Sequence, residues 1–246
     1  MYLTVQGLVI RVTPYKDHDA LLTLLTSEYG NITAKARGLR RKNSPLIAPC
    51  QLLAYGEFVL FENRGMYTIN EARTIELFQP LRKDLGKLAL GTYFAQVAEV
   101  VSQGDFPDAA LLSLTLNCMY ALSKLNIDQN KVKTVFELRC ACIAGYTPDL
   151  NGCCKCGNVF ADRLDISQGR LECHSCRSFD SSGIRMPVSG GVLDALRYIC
   201  FVEQQRMFSF EAGEETMSAL SNVAESYLAT QLERGFSSLD FYKSIQ

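Results

Sequence analysis

Four cysteines constrain this chain more than any other feature. Cys153-x-x-Cys156 and Cys173-x-x-Cys176 are two short knuckles separated by sixteen residues. A C-x-x-C turn presents two sulfurs to one tetrahedral cation, and two such turns complete its shell. The spacing is that of a zinc ribbon, and Phe160 to Ile166 with Gly169 to Glu172 reads as the hairpin between the knuckles. Only Cys153 has x-x spacing to Cys156, so Cys154 is left out. His174 could replace Cys173 only by distorting the turn. Four thiolates leave no open position for water, so the expected Zn2+ is structural and not catalytic. A redox dithiol, or a site bridged by disulfides, is the alternative for the same sulfurs.

The remaining cysteines fit packing. Five of the ten lie between Cys153 and Cys176, which in a chain of 246 residues favours metal over a disulfide framework. Cys118, Cys140 and Cys200 fall on apolar helical faces, Cys142 shares a helix with Cys140, and Cys50 follows Pro49 in a loop.

The first 80 or so residues alternate as strands do. Val5–Val12, Leu21–Thr26, Asn31–Arg37, Leu52–Glu62 and Met66–Leu77 are five candidates, with turns at Glu28–Asn31 and Asn63–Gly65. Such a series predicts a small closed barrel, and the pattern fits an OB-fold and an SH3-like barrel alike. After Pro80 the period becomes helical. Leu85, Leu88, Phe94, Val97, Ala98 and Val101 mark a first helix ending near Gly104. Asp105–Asp108 offers cap chemistry for a second, apolar nearly all round and reaching about Leu125, which predicts the buried centre of a bundle.

A third helix carries Val132, Val135, Phe136, Cys140 and Ile143 on one face and stops at Gly145. Lys131, Lys133, Glu137 and Arg139 supply its expected polar face. Ser189 is positioned to cap a helix over Gly191–Val202. A last helix runs from Glu214 to about Arg234, with Met217, Leu220, Ala224, Tyr227 and Leu228 inward. The expected fold class is α+β. Residues 1–80 form a barrel, and 81–246 a helical domain interrupted by the cysteine module at about 151–180.

Lys35, Arg37, Arg40, Arg41 and Lys42 place five positive charges in eight residues, within an acid-free stretch from Asn31 to Tyr55. The whole chain has a formal net charge of −1, so this run is local and uncompensated. A strand leading into a basic loop can track a phosphate backbone, and Tyr15, Tyr29, Tyr55 and Tyr67 could add stacking surfaces. The competing reading is a solvated charged face, with the tyrosines in the core or at its rim.

Catalytic devices are missing. The two histidines, His18 in a turn and His174 in a knuckle, have no triad setting. Asp17 and Asp19 read as turn residues. There is no phosphate-binding G-x-x-x-x-G-K-[ST] loop and no deaminase signature. A non-enzyme is expected. Residues 1–7 lack the basic start and apolar block of a signal peptide, and no apolar run approaches the roughly 20 residues of a membrane span. The expected location is therefore the cytoplasm.

Taken in order, several segments resemble the RecO family of bacterial recombination-repair proteins. They are Gly7-Leu8-Val9-Ile10-Arg11, Tyr15-x-Asp17-x-Asp19, Leu22–Thr26 with Gly30, and Ala34-Lys35-Ala36-Arg37-Gly38-x-Arg40-Arg41. Leu60 with Gly65-x-Tyr67, Gly145-Tyr146-x-Pro148-x-Leu150 before the cysteines, and Ser237–Phe241 complete the set. The resemblance implies an N-terminal OB-fold, a helical C-terminal domain and a zinc knuckle. It also implies binding of single- and double-stranded DNA, annealing of complementary strands, and a nucleoid-associated role. Partners implied are RecR, the single-stranded-DNA-binding protein, RecA indirectly and, in some bacteria, RecF. Lys35, Arg37, Arg40 and Arg41 match the family's basic positions, so DNA contact is carried onto those four; Lys42 joins them on charge alone. Two further readings compete. One is a zinc-ribbon adaptor without DNA binding, the other a zinc hydrolase using Cys154 or His174.

Overall fold

Branched and aromatic residues that alternate with polar ones favour strand, and five such runs build a barrel. They are β1 (Tyr2–Tyr15), β2 (Asp19–Thr26), β3 (Gly30–Ala36), β4 (Tyr55–Asn63) and β5 (Met66–Glu76). The computed structural model describes residues 1–102, 104, 106–125, 127–176 and 183–246. Asp105, a candidate cap, and the expected end of the cysteine module at Asp180 lie outside the described residues.

The barrel closes in the order β1-β2-β3-β5-β4, with β4 returning to β1. All pairs are antiparallel except β3 with β5, which run parallel through Ala34 and Lys35 opposite Tyr67 and Thr68. This order gives an OB-like barrel, and it decides between the two barrels that the pattern left open. Inward residues Val5, Val9, Leu22, Leu24, Ile32, Phe58, Leu60 and Ile69 form the core. Leu39, Leu46, Cys50 and Ala54, from the turns between β3 and β4, join that core.

Alternation in β1 is loose for a physical reason. Leu8, Val9 and Ile10 are all buried, because helices cover the side of β1 that faces away from the barrel interior. Gly30 is required where β2 turns into β3. Its φ is +59°, and a Cβ there would lie 1.9 Å from the Gly104 carbonyl oxygen.

The helices are α1 (Gln79–Arg82), α2 (Leu85–Val101), α3 (Ala109–Tyr120), α4 (Gln129–Ile143), α5 (Gly190–Phe201), α6 (Glu214–Gln231) and α7 (Ser237–Ser244). A turn of π-helix, Ala121–Leu125, extends α3. Two compact units result, one of residues 1–126 with 236–246 and the other of 127–235. In the first, α2 starts at Asp84, whose carboxylate accepts from the Lys87 amide at 2.9 Å, and it packs on β1 and α7. Ser238 Oγ donates to Gln96 Oε1 at 2.7 Å, and Phe236 meets Tyr93 edge-on at 5.5 Å. The sequence pattern marks its last helix as ending near Arg234, so α7 is an addition from the structure.

Two expectations for the helices are corrected. The second helix is not apolar all round in use: Leu111, Leu112, Leu114 and Met119 are buried, but Tyr120 and Leu125 are exposed. Asp108 stands at its N-cap without making a side-chain cap. In α4 it is the expected polar face that departs from the pattern: Lys131 and Arg139 are half-buried, and the other two residues lie inside. Lys133 and Glu137 are 3% and 0% exposed, and Lys133 Nζ reaches Glu137 at 3.1 Å and Glu225 of α6 at 2.9 Å. Mutual neutralisation lets these charges take core positions that periodicity assigns to solvent.

The second unit also holds a small sheet, β6 (Asp149–Cys153), β7 (Arg163–Asp165), β8 (Arg170–Glu172) and β9 (Arg185–Pro187), in the order β6-β8-β7-β9. Helices hold it in place: Arg197 Nε of α5 donates to the Leu150 carbonyl at 2.9 Å, and Gln231 Nε2 of α6 to that of Ile166 at 2.8 Å. Ser189 caps α5 through the Val192 amide, as its position predicts. Among the described residues no helix is long and apolar enough to cross a membrane.

Candidate functional site

The first knuckle is a backbone device. Cys153 ends β6, its amide donates to the Asn158 carbonyl at 2.8 Å, and the Gly157 amide donates back to the Cys153 carbonyl at 2.8 Å. Chain packing at this turn is so close that a Cβ on Gly152 would stand 2.7 Å from the Gly157 oxygen. The second knuckle follows β8 directly, as a short 3-10 turn over His174–Cys176 with the Cys176 amide on the Cys173 carbonyl. The hairpin expected between the knuckles is β7 paired with β8.

The turns bring Cys153, Cys156, Cys173 and Cys176 together, with all four sulfurs within 4.8 Å of one another. A tetrahedral metal with bonds of about 2.3 Å sets its sulfurs about 3.8 Å apart; Cys156 and Cys173 are 3.7 Å apart. No disulfide joins any of them. The cluster fits a zinc knuckle. Cys154 and His174 are exposed and stand outside it. Backbone amides, that of Lys155 foremost, hold the Cys153 thiol down to about 6. Cys176 is pushed up to about 12, chiefly by hydrogen bonding to Cys156 and Cys173.

The basic segment starts on β3, where alternation turns Lys35 outward, and continues past the strand end with Arg37. Lys35 is not a free charge. Its Nζ lies 2.9 Å from Asp19 Oδ2 and 5.1 Å from the Tyr15 ring centre. Asp19 also accepts the Gly38 amide at 2.8 Å, and these two contacts, the amide first, hold its carboxyl below the ordinary value. The Arg40 amide donates to the His18 carbonyl at 2.9 Å, so the loop root is tied to the β1–β2 turn. Arg37, Arg40, Arg41 and Lys42 are exposed and have no ion-pair partner among the described residues. Asp19 therefore does more than shape a turn.

The tyrosines divide. Tyr55 donates to Gln6 Oε1 at 2.9 Å, and Tyr67 packs against the barrel core. Tyr15, with the Lys16 and Lys35 ammonium groups near its ring, and Tyr29 remain exposed. Two aromatics that the sequence reading passed over, Tyr2 and Phe61, stand together on the outside of the barrel at 5.2 Å. Alternation around Leu3, Val5, Phe58 and Leu60 was the available signal.

Comparison with known proteins bears on this arrangement along the whole chain. Residues 1–78 match the family model described as Recombination protein O N terminal, and residues 82–240 that described as Recombination protein O C terminal. The chain belongs to the RecO family. The DNA repair protein RecO of Acetivibrio thermocellus is 34% identical over 246 residues, covering 99% of this chain and 97% of that one. That of Alkaliphilus metalliredigens is 29% identical over all of both chains, and that of Listeria innocua 26%, over 90% of this chain and 86% of the other. In RecO terms the N-terminal match spans the OB-like barrel, while the C-terminal match takes in α2 to α6 and the cysteine cluster. RecO is a DNA repair and recombination family, so the outward basic segment is the feature whose chemistry bears on that role.

Proposed function

We propose that this protein is a DNA-binding recombination mediator. It anneals complementary single strands and, with RecR, helps load RecA onto DNA coated by single-stranded-DNA-binding protein; RecF takes part in some settings. One observation carries the reading: in a RecO-family chain, Arg37, Arg40, Arg41 and Lys42 stand exposed without acidic partners among the described residues. Cations on the barrel face neutralise phosphates of two strands and lower the repulsion that opposes pairing. Residues 1–80 are the domain that contacts single- and double-stranded DNA, and 81–246 the domain that docks partners. The chain works in the cytoplasm on the nucleoid and hydrolyses no nucleotide.

Cys153, Cys156, Cys173 and Cys176 would hold Zn2+, which supplies a closed four-sulfur crosslink and no reactive position. The sulfur spacing supports this. The chain's own residues orient the thiols through the two turns.

The decisive assay is annealing of complementary strands coated beforehand with single-stranded-DNA-binding protein, with and without RecR. Annealing that rises with the protein, and further with RecR, is expected. A folded Lys35→Ala, Arg37→Ala, Arg40→Ala, Arg41→Ala variant that binds and anneals DNA like the parent would overturn the reading. The Lys35–Asp19 pair favours a second reading, a zinc-ribbon adaptor whose charges serve only solubility. That reading predicts no salt-dependent DNA binding at all.

A further inference from the structure

The outer face of the barrel carries an aromatic pair that the basic segment does not explain. Tyr2 of β1 lies opposite Phe61 of β4, with ring centres 5.2 Å apart and planes tilted by 52°. Both rings face solvent, Tyr2 at 63% and Phe61 at 39% exposure. Register then continues the row: Phe61 opposes Thr68 of β5, and Thr68 opposes Lys35 of β3. Four adjacent strands at about 4.8 Å spacing make this row about 14 Å long. It runs from an apolar, π-faced end to the Asp19-paired Lys35, beyond which the exposed Arg37 follows the strand. Between them lies a groove of about 420 Å³ whose lining includes Tyr2, Phe61, Arg37, Ser44, Pro45 and Asn70.

Charge decides what such a groove accepts. Arg37 is exposed in its wall and lacks an ion-pair partner among the described residues, and the segment from Asn31 to Gly56 that forms β3 and the loop contains no acid. An anionic ligand with flat apolar faces satisfies both ends, and an unpaired polynucleotide has both at a regular spacing. Duplex bases are stacked on one another and present no free face to the rings.

We propose that Tyr2 and Phe61 form a base-stacking platform for single-stranded nucleic acid, with Arg37 across the groove on the phosphate chain. This rests on the DNA-binding reading above and deepens it. The platform makes the barrel prefer unpaired strands, whereas the basic loop attracts any phosphate backbone. Stacking tolerates any base sequence, since every base has a π-face.

The test compares an oligothymidylate with an abasic strand of the same length, which has the same phosphates and no bases. The full-length protein should bind the oligothymidylate more tightly. Tyr2→Ala with Phe61→Ala should weaken it about tenfold and leave the abasic strand unchanged, while Tyr2→Phe with Phe61→Tyr retains the preference. Arg37→Ala should weaken both strands by the same factor. If the double-alanine variant weakens both strands equally, or neither, the platform is wrong although DNA binding stands. If the parent binds neither strand, the DNA-binding reading itself fails. A pair that only tied β1 to β4 would lower the melting temperature without changing the base preference. If the double-alanine variant instead abolishes self-association seen by light scattering, the face belongs to a second copy of the chain and the proposal fails.

Discussion

Asp19 shows how one carboxylate sets up the basic segment. It holds the Gly38 amide and the Lys35 ammonium together, and both contacts favour its charged form. Its folded pKa therefore lies below the ordinary 3.8. The sign follows: its contribution to stability is complete above the ordinary value and is lost as pH falls through the lowered one. Asp19→Asn should be less stable than the parent in urea unfolding at pH 7, and the difference should shrink as pH falls below the ordinary 3.8. The same contact bears on DNA affinity. Five free cations on single-stranded DNA would give a log K against log salt slope of about −3.5, at about −0.7 per phosphate. With Lys35 occupied, a slope of about −2.8 is expected for the parent, steepening in Asp19→Asn. Salt titration by fluorescence anisotropy measures both.

Elements depend on contacts that no single element contains. The knuckle turns are local, yet Arg197 and Gln231 tie their sheet to α5 and α6. Chelation of the proposed zinc should therefore abolish hydrogen-exchange protection in β6 to β9 and weaken it in α5, while β1 to β5 keep theirs. Gly152→Ala should do the same without a chelator, because the Gly157 carbonyl occupies the space that a methyl needs. In α4, Lys133→Ala would remove the buried ammonium that Glu137 and Glu225 share. A loss of about 3–5 kcal/mol is expected, read by denaturant unfolding. Periodicity misplaced this pair because a charge count on a helical wheel does not reveal that the opposing helix brings a matching charge.

At the scale of the molecule, the cysteine cluster and the basic segment lie in different compact units. Structure and charge can then be separated by mutation. On the proposed function, a Cys153→Ser, Cys173→Ser variant should bind a bare oligonucleotide within about twofold of the parent, yet lose the proposed RecR-dependent annealing on coated strands. Binding by filter assay and annealing by strand-paired fluorescence distinguish the two effects. Equal loss in both would place the cysteines in the DNA-contacting machinery.

Local physics made much of this legible. Two C-x-x-C turns at ribbon spacing specify four converging sulfurs, alternation specifies five strands, and Ser189 specifies where α5 starts. Each depends on residues within a turn or a pleat of one another. The closing β3–β5 pair, the return of α7 to the first unit, the burial of Lys133 and Glu137, and the Lys35–Asp19 pair depend on partners distant in sequence. So does Tyr2 beside Phe61, which needs the register of β1 on β4. The sequence by itself determined which residues are cationic, thiol-bearing or strand-forming. Only the tertiary structure decided which of those charges stay unpaired and which rings stay uncovered, because burial and neutralisation are properties of the packed chain.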